Sequence, residues 1–200
     1  GYWVKINLEE DQPPINFSVS GIETNHNIVY NLHDGANLIS YIGIDSMSIG
    51  DAIPDNVEAG IEAIIGQGVA ASPNPILGWV GSLSEFTLGK GYWLKINPDI
   101  LSIDLVWNSD NNRSKSMSNK KIKYPSKFQF NQSSLQAFYF VNAFTSNTFT
   151  LDDNDIILSY CNGIIAGSRY YNNENTDIPV MGEDGEKTLG YCNQNDIPTF

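Results

Sequence analysis

The sequence predicts a mainly β chain: a small β-sheet module with one or two short helices, then an immunoglobulin-like β-sandwich module. Three observations carry this. Gly-Tyr-Trp-Val-Lys-Ile-Asn at 1–7 returns as Gly-Tyr-Trp-Leu-Lys-Ile-Asn at 91–97, identical at six of seven positions and offset by 91 − 1 = 90 residues. An offset of that size marks a repeated module. Segments of alternating apolar and polar residues recur along the chain. From residue 120 onward, short β-type runs alternate with Asn, Asp and Gly turns, the rhythm of a sandwich.

Taken in order, residues 1–7 place Tyr2, Val4 and Ile6 on one face and Trp3, Lys5 and Asn7 on the other, a half-buried strand. The acidic Glu9–Pro14 stretch breaks it, and Ile15, Phe17 and Val19 alternate again. Residues 1–20 therefore read as the terminal strands of a preceding repeat. The β-module spans 21–107. Ile28–Leu32 and Asn37–Ile42 read as a hairpin around the Asp34-Gly35 turn. A short helix is expected between Asp45 and Pro54. Asp55 and Glu58 have capping-box spacing, and Val57, Ile61, Ile64 and Ile65 form the stripe of an amphipathic helix. Val69–Ser72, Ile76–Val80 and Tyr92–Asn97 read as strands, and Ile100–Trp107 as one more.

Residues 108–119, rich in Asn and Ser, form a linker. The sandwich module occupies 120–200, and an incomplete last strand is one expectation at its end. Its candidate strands are Tyr124–Phe130, Leu135–Phe144, Asp155–Tyr160, Ile164–Tyr170 and Lys187–Cys192, with a last one opening at Ile197. The run 136–141 is apolar on both faces, so another domain or subunit is expected to cover its outer side.

Charge narrows the partners. The 200 residues carry 23 acids and 11 bases, a net −12, which repels nucleic acid and anionic membrane. Six of the bases (Arg113, Lys115, Lys120, Lys121, Lys123, Lys127) cluster where no acid occurs, either a solvated linker or a docking segment for an acidic neighbour. No apolar run is long enough to span a bilayer.

Few residues suggest chemistry. The two histidines, His26 and His33, sit in loop-like contexts, and no nucleophile or nucleotide fingerprint occurs, so an enzyme is not expected. No cofactor is called for. Clustered carboxylates at Asp152, Asp153 and Asp155, and at Glu183, Asp184 and Glu186, are the ligand type Ca²⁺ requires, although acidic turns are also ordinary in an acidic chain. Cys161 and Cys192 are the only cysteines, and an even pair in a β-rich domain favours a disulfide over two buried thiols. Asn16, Asn112 and Asn131 head Asn-x-Ser sequons, so a glycoprotein is one expectation. Trp107, Tyr139, Tyr170 and Tyr171 would form a sugar platform if exposed side by side, and core packing is the alternative.

Four stretches of the first module carry a resemblance: Leu32–Ser40, Ile64–Ala71, Gly78–Leu83 and Gly89–Ile96. In the second, Tyr124–Ser126, Leu135–Phe140, Ala166–Arg169, Asp177–Gly185 and Asp196–Phe200 do the same. Together they resemble tandem β-rich repeats of very large secreted surface proteins from Bacteroidetes-like marine bacteria, exported by type IX secretion. Ala36 stands where those modules usually have Trp. The resemblance implies an extracellular or cell-surface location and a structural or adhesin-like role. The expected function is a subunit or repeat of a surface filament, with Tyr2, Val4 and Ile6 as a polymer contact strand and copies of itself or neighbouring repeats as partners. The alternative is a carbohydrate-binding module whose partners are glycans.

Overall fold

In the copy at 91–97 every second residue is apolar, and the fold buries that face. A computed structural model describes residues 4–6, 12–13, 15–18, 20–22, 24–43, 45–108, 124–141, 144, 148–172 and 175–200. In chain order the first half contains β1 (Tyr30–His33), β2 (Gly35–Ser40), β3 (Met47–Ser48), α1 (Ile49–Ala52), α2 (Asp55–Glu58), β4 (Ile61–Gly66), β5 (Val69–Asn74), β6 (Gly78–Gly81), β7 (Glu85–Phe86), β8 (Gly91–Ile96) and β9 (Ser102–Leu105). The second half contains β10 (Gln136–Val141), β11 (Ile156–Cys161), β12 (Ile164–Tyr170) and β13 (Thr176–Met181), with 3-10 turns at Ser126–Phe128 and Glu186–Thr188. The chain is mainly β with two short helices, as its patterning predicts.

β8 is flanked on both sides in the antiparallel sheet β2-β8-β4-β5-β6. Leu94 lies opposite Asn37 on β2 and Ile64 on β4, and Ile96 opposite Gly35 and Ile61. Tyr92, Leu94 and Ile96 are buried to 3%, 0% and 0% exposure. Each such apolar side chain contributes about 1.5–3 kcal/mol, so β8 is held by its face as well as by two ladders. On its other face Lys95 pairs with Glu62 at 2.9 Å. Behind the sheet, Tyr41, Phe86, Tyr92 and Trp107 form an aromatic cluster with centroids 4.8–5.5 Å apart. The Trp107 Nε1–H donates to the Ser40 carbonyl at 3.1 Å.

Several local expectations are corrected. β1 and β2 do not form a hairpin: β1 pairs with β9, β2 pairs with β8, and Gly35 at φ +76° turns the chain from one sheet into the other. The amphipathic helix is confined to Asp55–Glu58. Its N-cap is Pro54, so the expected Asp55 cap is not made, whereas Ser48 caps α1 by accepting from the Asp51 amide. Ile61 and Ile64 belong to β4, where a bulge between 61 and 63 lets residues three apart face the same core. That spacing imitates a helix.

In the second half, β10 pairs with β13 and β11 with β12, all antiparallel. β13 lies against β12 so closely that a side-chain carbon at Gly167 would overlap the Pro179 carbonyl oxygen. The Ser159 hydroxyl donates to that carbonyl at 2.7 Å. The expected strands at Tyr124–Phe130 and Lys187–Cys192 contain 3-10 turns instead, and Cys192 makes only an isolated bridge to Gly182. The strand expected from Ile197 is a single bridge, Thr199 with Tyr160, made by two backbone hydrogen bonds. β13 escapes the sequence patterns because all six of its residues are buried, leaving no alternation, and because it contains a proline. Two apolar clusters result: a large one built from residues 32–107 and a small one of Cys161, Ala166, Val180, Met181 and Tyr191.

Candidate functional site: an exposed strand copy and the groove beside it

Val4, Lys5 and Ile6 repeat Leu94, Lys95 and Ile96 in position, yet their surroundings are opposite. They lie outside every strand, with Val4 64% and Ile6 51% exposed. Ile15, Phe17 and Ile22 downstream are also exposed. Tyr2, the third apolar member of the expected contact strand, is outside the described residues.

Lys5 ties this segment to the second half. The Lys5 ammonium donates to the Asp184 carboxylate at 2.6 Å and to the Asp184 carbonyl at 3.2 Å. Asp184 is a well-served acceptor, taking hydrogen bonds also from the Ser134 amide (2.6 Å), the Ser134 hydroxyl (2.8 Å) and the Thr188 hydroxyl (2.8 Å). Burial alone would raise its pKa. The donors from Lys5, Ser134 and Thr188 outweigh burial and hold the carboxyl well below the usual carboxylate range. Beside this contact runs a groove of about 1100 Å³ between the two halves, lined by Lys90, Tyr92, Tyr124, Arg169 and Asp184 and edged by residues 4–6.

The floor of the junction is polar and built around Arg169. Arg169 pairs with Asp177 at 3.1 Å, both side chains nearly covered, and donates to the Asp177 and Gly68 carbonyls at 2.8 and 3.0 Å. The Ser82 hydroxyl donates to Asp177 at 2.6 Å, and the Gln136 side-chain amide donates to the Gly66 carbonyl at 3.2 Å. Arg169 thus ties β12 and β13 to the turn between β4 and β5. Burial raises the Asp177 pKa, with Arg169 and Ser82 acting in the opposite direction.

The other expected residues are dispersed. Cys161 and Cys192 form a disulfide with Cα atoms 5.1 Å apart, joining the end of β11 to the C-terminal segment. The Asp152–Asp155 turn satisfies itself. Asp155 accepts from the Asp152 amide and Asp152 from the Asn154 amide. Among the described residues no three His, Cys, Asp or Glu side chains, Asp153 included, gather as metal ligands. Asn16 is exposed, whereas the Asn131 side-chain amide is committed to the Lys187 carbonyl at 2.6 Å and Ser133 of its sequon is buried. Asn112 and most of the basic cluster lie outside the described residues.

His26 donates to the Ile42 carbonyl and His33 to the Asp34 carbonyl, and nothing brings the two together. The sugar platform is not assembled: Trp107 is core at 3% exposure, Tyr170 stacks on Tyr124, and Tyr139 packs edgewise on Phe200. Tyr171 lines a cleft of about 640 Å³ with Trp79, Asn172 and Asn175. On the exposed side of β10, Ala137 and Tyr139 face outward.

Sequence reasoning missed the roles of Lys5 and Asp184. A signal for Lys5 was present, since the lysine is one of the residues identical in both strand copies. Asp184 was masked by its acidic neighbours. Among the described residues no helix is long and apolar enough to cross a membrane. Comparison of this chain with protein-family models, curated proteins and solved structures finds no match.

Proposed function

We propose that the chain is an extracellular structural or adhesive module, a subunit or repeat of a surface filament joined by strand and domain contacts, without enzymatic activity. One observation carries the reading. Val4 and Ile6 are exposed in a sequence whose twin, Leu94 and Ile96, is wholly buried at the centre of a sheet. An alternating apolar segment left outside any sheet is material for strand addition, because its free amides and carbonyls pair with an open edge. The disulfide fits an oxidising location. Contacts of this head-to-tail kind do not close on themselves and so build fibres. Negative-stain electron microscopy with light scattering tests it: filaments or long oligomers are expected, and loss of assembly in a Val4→Asp/Ile6→Asp chain. Monodisperse monomers at every concentration would reject the reading.

Saccharide binding is a second reading, favoured by the cleft in which Trp79 and Tyr171 stand with the amides of Asn172 and Asn175. A glycan array on the wild type and on Tyr171→Ala checks it; equal signals from the two chains would remove this cleft from consideration.

A further inference from the structure

We infer that the sequence at 1–7 is built for one particular acceptor: the slot between β2 and β4 of a second copy of this module, the slot that β8 fills in its own chain. This deepens the strand-contact reading above by naming the partner. Six of seven residues match β8 and the Asn that follows it, and the one difference, Val4 for Leu94, keeps an apolar residue at a fully buried position. In the slot Val4 would stand between Asn37 and Ile64, and Ile6 between Gly35 and Ile61, the neighbours that Leu94 and Ile96 have. Lys5 would meet Glu62, as Lys95 does at 2.9 Å. Lys5 therefore has two carboxylate partners, Asp184 when the segment rests on its own chain and Glu62 when it is inserted. The apolar face changes more. Val4 and Ile6 are half or more exposed at rest and would be covered on insertion, whereas the lysine exchanges one ion pair for another. The resting state is thus a weak tether, and the slot is the only described environment shaped for this sequence. A chain's own β8 competes for the slot with the advantage of being covalently attached, so exchange between intact copies is slow and grows with concentration.

Weakening β8 removes that advantage and makes the exchange visible in the full-length chain. Leu94→Asp places a charge at a position with 0% exposure and expels β8. The Leu94→Asp chain is expected to keep a cooperative thermal transition while running as dimers or larger species in size-exclusion chromatography. Adding Val4→Asp should abolish both the transition and the assembly. At a dilution where the wild type is monomeric, Val4→Asp alone should melt as the wild type does. The inference is overturned if the Leu94→Asp and Val4→Asp/Leu94→Asp chains behave alike, whether both fold or both fail. It is overturned equally if Val4→Asp alone lowers the melting temperature at that dilution. Filament formation by the wild type is read separately by microscopy, so the filament reading and the slot assignment can fail independently.

Discussion

At residue scale the two notable carboxylates respond to pH in opposite senses. Asp184 has a folded-state pKa below its unfolded value, so its contribution is present above the ordinary carboxylate range and is lost as pH falls through the folded value. Asp177 has a folded-state pKa above its unfolded value, so its contribution is fully present below the unfolded pKa and declines as pH rises through the folded one. Thermal melts of wild type and Asp184→Asn across the acid range should separate the two effects. The Asp184→Asn chain is expected to lose less stability on acidification, because the group responsible for part of that loss is gone. The same substitution releases Lys5, which limited proteolysis near residue 5 should register as faster cleavage.

At the scale of elements, the close approach of β12 to β13 rests on Gly167, where no side chain fits against the Pro179 carbonyl. Gly167→Ala is expected to destabilise by about 1–3 kcal/mol or more, measured by urea denaturation, because the two strands must part to admit a methyl group. Strands with one wet face, such as β8, were legible in the sequence because alternation reports a single buried side. β13 was not, since burial on every side removes the period, and β4 was misread because a bulge shifts its phase by one residue. The pairing of β1 with β9, separated by most of the module, left no local trace at all. For the candidate site the strand copy was evident from repetition alone, while its tether depends on an acid 179 residues away. The disulfide was readable from the count of cysteines.

For the whole molecule, the two halves meet through hydrogen bonds made across the junction by a buried ion pair of the second half, Arg169 donating to the Gly68 carbonyl and Asp177 accepting from Ser82. Removing one partner of such a pair leaves an uncompensated charge, so Arg169→Ala should cost about 3–5 kcal/mol and let the halves unfold in separate steps, a change visible by calorimetry. The second half has the smaller core and leans on its cross-link. Closing a loop of this length contributes roughly 3–4 kcal/mol in the chain-entropy model, and reduction should lower the denaturation midpoint accordingly. The position of that cross-link also decides how the chain carries tension. A pull applied at Phe200 first meets the two hydrogen bonds between Thr199 and Tyr160, then passes from Cys192 straight into Cys161 and β11. Residues 162–191, which include β12 and β13, are bypassed while the disulfide is intact. Held between beads, the reduced chain should therefore extend further than the oxidised one by on the order of 100 Å, the contour length of the shielded loop. A chain wired in this way can be stretched at its ends without surrendering the strands that fasten its second half to its first.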